Sequence, residues 1–184
     1  MASPAADNIL RPALQAVVDT EEIRTVIYQF VRGADRKIRD LVQSVYHPEA
    51  NDNHGTFDGP AKDFYDAMTA NDATHAVHHQ IGRSLIELGN DGTTASAEKY
   101  CIATTVDGDN NWIKFLVRYV DQFEKRDGAW KILDRCVAFD AVSDKAIMDY
   151  LPKSNIGTRD ETDFSRNILK DWSLSSTTGI SKKR

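Results

Sequence analysis

Residues Asn111 to Ile132 read "NWIKFLVRYVDQFEKRDGAWKI". Ile113, Phe115, Val117 and Tyr119 alternate there with Trp112, Lys114, Leu116 and Arg118, a period of two that predicts a strand with one buried and one mostly polar face. The "RDG" that follows is a turn, and "AWKILDRCVAFDAV" beyond it is a second strand, so the stretch is a hairpin. Upstream, "VHHQIGRSLIEL" and "TASAEKYCIATTV" repeat the pattern, with "GNDG" and "DGDN" as their turns. From Ala76 onward the chain therefore predicts a four-stranded antiparallel meander.

Before Ala76 the period is helical. In "DTEEIRTVIYQFVRGADRKIRDLVQSVYHPEA", Thr20 is expected to cap a helix whose apolar stripe is Ile23, Val26, Ile27, Phe30, Val31 and Ala34. A second helix, over 38–46, presents Leu41, Val42 and Val45 until "HP" stops it. "NDNHGTFDGP" reads as loop from its Asn, Asp and Gly content. Pro60 suits the first position of a third helix that carries Phe64 and Met68 and ends at "TANDAT".

Helices first and strands after predict an α+β domain, in which N-terminal helices cover the concave face of a cone-shaped, curved antiparallel sheet. Residues 1–18 are expected to be an N-terminal extension, 19–143 the domain, 144–172 a covering arm and 173–184 a disordered tail. Met148, Tyr150, Leu151 and Ile156 suit an arm that closes over the open end.

Composition narrows the function classes. With 184 residues and 41% hydrophobic content, the chain is long enough for one sizeable core and short for two. A net charge of -5 argues against nucleic acid, and the basic "SKKR" sits at the loose end. No run approaches the ~18 to 20 apolar residues of a membrane span, and "MASPAADNILRP" lacks the profile of a secretory signal, so no membrane association and a cytoplasmic location are expected. Cys101 and Cys136 fall in predicted strands without CxxC spacing and read as small apolar core residues of a reducing compartment.

Three of the five histidines crowd into "THAVHHQIG", Thr74 to Gly82. Val77, His79, Ile81 and Leu85 share one strand face, whereas His78, Gln80, Gly82 and Ser84 share the more polar one, so parity selects His79 over His78 as inward-facing. On the first helix Ile27, Val31 and Asp35 are spaced by four, which places a carboxylate at the end of the apolar stripe, where it needs a partner. An Asp there also suits the cap of the next helix, and a strand His also suits a hydrogen-bonded core. A metal site is not expected. His75, His78 and His79 do not converge on a strand, and His54 in "NDNHG" has no carboxylate or cysteine at a recognised ligand spacing.

The order of elements, the "YHPEANDNHGTFDGP" segment, the histidine-led strand and the "KRDGAWKI" hairpin resemble the SnoaL-like branch of the nuclear transport factor 2 superfamily, over about Thr20 to Val142. Within it the patterns are similar to those of scytalone dehydratase, bile-acid 7α-dehydratase and lindane dehydrochlorinase. The resemblance implies a cone around an apolar pocket, no cofactor, and a catalytic His79 paired with Asp35 of "GADRK". It also implies that Arg135, five residues after Trp130, lines the cavity, as do Ile102, Phe115 and Tyr119. By its own parity with Leu133, Val137 and Phe139, Arg135 is either a cation inside the pocket or a salt-bridge partner of Asp134, Asp140 or Glu98 at the rim.

Val31, Tyr46 and Tyr100 complete the expected pocket. Those dehydratases carry tyrosines that polarise the substrate carbonyl, and the bile-acid enzyme has one five residues before its Asp, where this chain has Phe30, so electrophilic help is expected from Tyr46, Tyr100, Tyr119 or Arg135. The activity implied is a cofactor-free lyase, by dehydration or a related elimination, hydration or isomerisation, acting on a small-to-medium hydrophobic molecule. The alternative is a non-catalytic binder of an apolar ligand, or a small subunit of a ring-hydroxylating dioxygenase-type assembly. Trp112, Leu116 and Trp130 on the outer sheet face suggest a homodimer or homotrimer.

Overall fold

In the computed structural model, which describes residues 4–70 and 72–169 and side chains from Leu10 onward, the first element is one continuous helix α1, Pro4–Asp35. Its stripe of Ile23, Val26, Ile27 and Phe30 is buried. Thr20 is not its cap: the hydroxyl donates to Ala16 O at 2.8 Å, one turn back inside the helix. A mid-helix threonine meets its own hydrogen-bonding needs in this way, so its presence does not mark a start. The chain then turns through Lys37, in the left-handed region at φ 52, into the short α2, Arg39–Ser44. Gly33 permits this return, because a Cβ there would come within 2.8 Å of Val42 Cγ2.

Two strands appear where the sequence predicts a helix end and a loop. β1, Tyr46–Asn53, lies parallel to the last strand of the sheet, and β2, Asp58–Pro60, lies antiparallel to β1. The residues of "EANDN" have little strand preference of their own. They are drawn into the sheet by an open edge, and Asn51 and Asn53 each donate a side-chain amide to Asp58 to close the pair. Pro60 then precedes α3, Ala61–Thr69, as its N-cap rather than its first residue.

β3 (Thr74–Leu88), β4 (Thr94–Asp107), β5 (Trp112–Arg126) and β6 (Ala129–Val142) form the expected antiparallel meander. The whole is a six-stranded, unclosed sheet in the order β2-β1-β6-β5-β4-β3, with the helices against its concave face, an α+β arrangement. Alternation sends Ala97, Lys99, Cys101 and Ala103 of β4, and Val117, Tyr119, Asp121 and Phe123 of β5, into the buried interior. Trp130 is also inside rather than on the outer face, 4% exposed, with Nε1 donating to Asp19 Oδ1 at 2.9 Å.

After β6, α4 (Lys145–Tyr150) begins at Asp144, whose carboxylate accepts from the backbone of Ala146 and Ile147. Ile156 then bridges Phe139 in parallel, beyond the point where β1 stops pairing with β6. From there the arm crosses to the outer face, where Arg118 meets Asp163. It therefore serves both faces of the sheet. The expected disordered tail, 173–184, lies outside the described residues. Among the described residues no helix is long and apolar enough to cross a membrane.

Candidate active site

A cavity of about 370 Å³ opens on the concave face. Its wall is mostly apolar, with Phe30 and Ala34 of α1, Phe64 and Met68 of α3, Val77 of β3, and Phe115, Val137 and Phe139 of the sheet. Ile147 and Leu151 of the arm complete it, and His54, His79 and Tyr119 stand among these groups. The volume suits a small-to-medium organic molecule.

Asp35 is the last residue of α1, and the helix aims its carboxylate at β3. His79 Nδ1 lies 2.6 Å from Asp35 Oδ1, and the His79 backbone amide donates to Asp35 Oδ2 at 3.3 Å. Only 12% of the imidazole and 11% of the carboxylate are exposed. A carboxylate accepts and does not donate, so Nδ1 carries the hydrogen in this pair. That leaves Nε2 as the atom able to take a proton, and no described residue partners it. His78, one residue earlier, is exposed on the opposite face, as parity requires.

A second histidine faces the same space. His54 Nδ1 lies 2.9 Å from Oδ1 of the fully buried Asp52, and its ring stacks on Phe64 with centroids 4.5 Å apart. Asp52 also accepts from the Tyr46 hydroxyl, which receives Arg135 Nη1 at 2.9 Å. Arg135 grips Asp121 at 2.8 and 2.7 Å, and Asp121 pairs in turn with Lys99. Burial pushes the Lys99 ammonium down to about 8. Burial also works against the Asp121 charge, but Arg135 and Lys99 outweigh it and hold that carboxyl below its ordinary range. The sequence does not single out His54 as a pocket residue, because "NDNHG" reads as loop and Asp52 and His54 come to one side only once the segment joins the sheet as β1.

Several expected pocket residues stand elsewhere. Arg135 neither lines the cavity nor bridges to Asp134, Asp140 or Glu98. It lies in the layer beneath, 1% exposed, with its guanidinium 4.0 Å from the Phe30 ring centroid. Tyr46 belongs to that same layer. Tyr100 and Ile102 are 39% and 42% exposed on the outer face, because β4 turns Lys99, Cys101 and Ala103 inward instead. Val31 packs against the core without lining the cavity, since α1 is rotated to present Phe30 and Ala34.

Phe115 and Tyr119 do line it. Burial drives the Tyr119 phenol well above its ordinary value, so the hydroxyl stays protonated, and no described residue hydrogen-bonds to it. Among the described residues no three His, Cys, Asp or Glu side chains converge in a way that would hold a metal ion.

Solved structures with this fold include a proposed scytalone dehydratase from Novosphingobium aromaticivorans, 13% identical over 72% of this chain and 91% of that one, with a TM-score of 0.66. Another is the type-3 hexachlorocyclohexane dehydrochlorinase of Novosphingobium barchaimii, 17% identical over 71% and 92%, with a TM-score of 0.63. A protein of Kribbella flavida is 19% identical over 72% and 97%, also at 0.63. At such identities the likeness is one of fold. No curated protein matches the chain. The model of the SnoaL-like domain matches residues 15–136, about two-thirds of the chain, and the chain belongs to that family.

Proposed function

We propose that the chain is a cofactor-free lyase that eliminates water or halide from a small-to-medium hydrophobic molecule. The observation that carries this reading is the 2.6 Å contact that binds His79 Nδ1 to Asp35 while Nε2 of this cavity-lining residue has no partner among the described residues. A neutral imidazole so held takes a proton from carbon beside an activating carbonyl. Asp35 keeps the tautomer and offsets the positive charge that the ring gains. The Tyr119 hydroxyl, protonated and without a described partner, donates to the oxygen on which negative charge develops. Electrons from the C–H bond then form the new C=C bond as the leaving group departs, and no oxidant or metal is required. Hydration and isomerisation would use the same groups. The family and the lyase names among the structures of like fold support this class of role.

The test is a panel of β-hydroxy ketones and halogenated rings assayed for elimination. His79→Ala should abolish turnover of any member that the wild type converts, while His78→Ala, on the outer face, should stay within about twofold of wild type. Failure of the wild type on the whole panel favours instead a non-catalytic binder of an apolar ligand, whereas an active His79→Ala removes His79 as the base.

A further inference from the structure

His54 plays no part in the scheme above, yet it is built like His79. Each imidazole presents Nδ1 to a carboxylate, at 2.9 Å for Asp52 and 2.6 Å for Asp35, and each lines the same cavity. Both rings flank Tyr119, at centroid distances of 5.6 Å for His54 and 6.4 Å for His79. We propose that His54, held by Asp52, is a second catalytic histidine, which protonates the leaving group while His79 removes the proton. The proposal rests on the lyase reading and assigns the other half of its proton transfer.

The support around His54 is greater than packing needs. Asp52 is fully buried and held on both oxygens, by His54 and by the Tyr46 hydroxyl. Tyr46 is fixed by Arg135, and Arg135 by Asp121. The ring itself is clamped by its stack on Phe64, and the backbone by His54 N donating to Phe57 O at 2.7 Å. Next to it, Gly55 takes φ 80 and packs so closely on Phe139 that a Cβ there would meet Cε2 at 2.9 Å. With all this, Nε2 of His54 has no partner among the described residues. Nδ1 is committed to Asp52, so Nε2 is the nitrogen of this cavity-lining ring that a bound molecule can reach.

The step balances. His79 Nε2 takes the proton from carbon, and the C–H electrons become the C=C bond. The C–O bond breaks towards oxygen, which takes the proton from His54 Nε2 and leaves as water or an alcohol. His79 has then gained one proton and His54 has lost one, and exchange with solvent restores both. The imidazolium on His54 before the step is balanced by the Asp52 carboxylate.

A proton donor to the leaving group matters in proportion to how poor that group is. The probe is therefore a series of 4-aryloxybutan-2-ones, from phenoxide to 4-nitrophenoxide, eliminated by wild type, His54→Gln, His54→Phe and His79→Ala. The His54 variants should lose roughly 10²-fold or more on the phenoxide member and less than about threefold on the nitrophenoxide, while His79→Ala slows every member alike. His54→Phe keeps the ring stack on Phe64, and thermal melts check both variants. If the wild type eliminates and His79→Ala is dead, yet the His54 variants slow all members equally or none, this proposal is overturned and the lyase reading stands. A wild type inert on the series, or an active His79→Ala, removes both.

Discussion

Arg118 Nη2 donates to Asp163 Oδ2 at 2.7 Å, tying the C-terminal arm to the back of the sheet. The same guanidinium meets Glu98, Asp140 and Ser165. Burial opposes the charge of Asp163, but the bonds from Arg118 and Ser165 outweigh it and hold the carboxyl far below its ordinary range. A carboxylate lowered in the fold contributes stability that is present above its unfolded value, about 4, and lost as pH falls through the folded one. Arm amides over 144–169 should therefore be protected from hydrogen exchange at neutral pH and lose protection progressively below about pH 4. Arg118→Met should remove that protection at neutral pH and weaken ligand retention, because Ile147 and Leu151 of the arm line the cavity. Unchanged exchange in this variant would show the arm to be held by its apolar contacts alone.

Replacing Asp35 by Asn keeps the shape and removes the charge. The amide can present its NH₂ to Nδ1 and favour the wrong tautomer, so turnover should fall on the order of 10²- to 10⁴-fold with little change in melting temperature. Tyr119→Phe should cost about 10²- to 10³-fold on ketone substrates, as loss of one oxyanion donor does, again without unfolding. Wild-type activity in either variant would remove that group from the chemistry.

The resemblance to other SnoaL-like proteins places Arg135 in the cavity; its position beneath the cavity predicts a different phenotype. Arg135→Met strips Asp121 of its two guanidinium bonds and should destabilise the protein by about 3–5 kcal/mol in urea unfolding. Arg135→Lys should recover only part of this, since an ammonium cannot span both carboxylate oxygens. A variant with wild-type stability and a selective loss of activity would return Arg135 to the substrate.

On the outer face, Ile102 pairs in register with Leu116, and Val106 with Trp112. Ile102, Leu116 and Trp112 are 42%, 45% and 59% exposed and form with Tyr100 a partly apolar surface on neighbouring strands. We expect a homodimer, or a homotrimer, formed through it. Light scattering at micromolar concentration should show the oligomer for wild type and a monomer for Leu116→Glu, whereas a monomeric wild type rules this surface out.

The meander and the choice of His79 over His78 were legible because both rest on period-two alternation, which is local and set by the backbone. Asp35 was legible for a similar reason, as a charge at the end of an apolar helical stripe. The signal failed where neighbours decide. Ile102 and Tyr100 are apolar enough to be inside, but Lys99 takes the inner face of β4 because Asp121 is there to receive it. No local pattern announces that a lysine will be buried, since its partner is 22 residues away.

The sequence by itself determined the α+β class, the four long strands with their turns, and which of two adjacent histidines faces inward, all properties of short-range periodicity and turn chemistry. Only the tertiary structure decided that "EANDN" becomes a strand, that Arg135 lies under the cavity rather than in it, and that His54, just after β1, and His79, on β3, look onto one space. Those outcomes depend on which edges and charges meet after folding. An unpaired strand edge recruits a segment with little strand preference, and a buried charge settles where its partner is, whatever the local pattern favours.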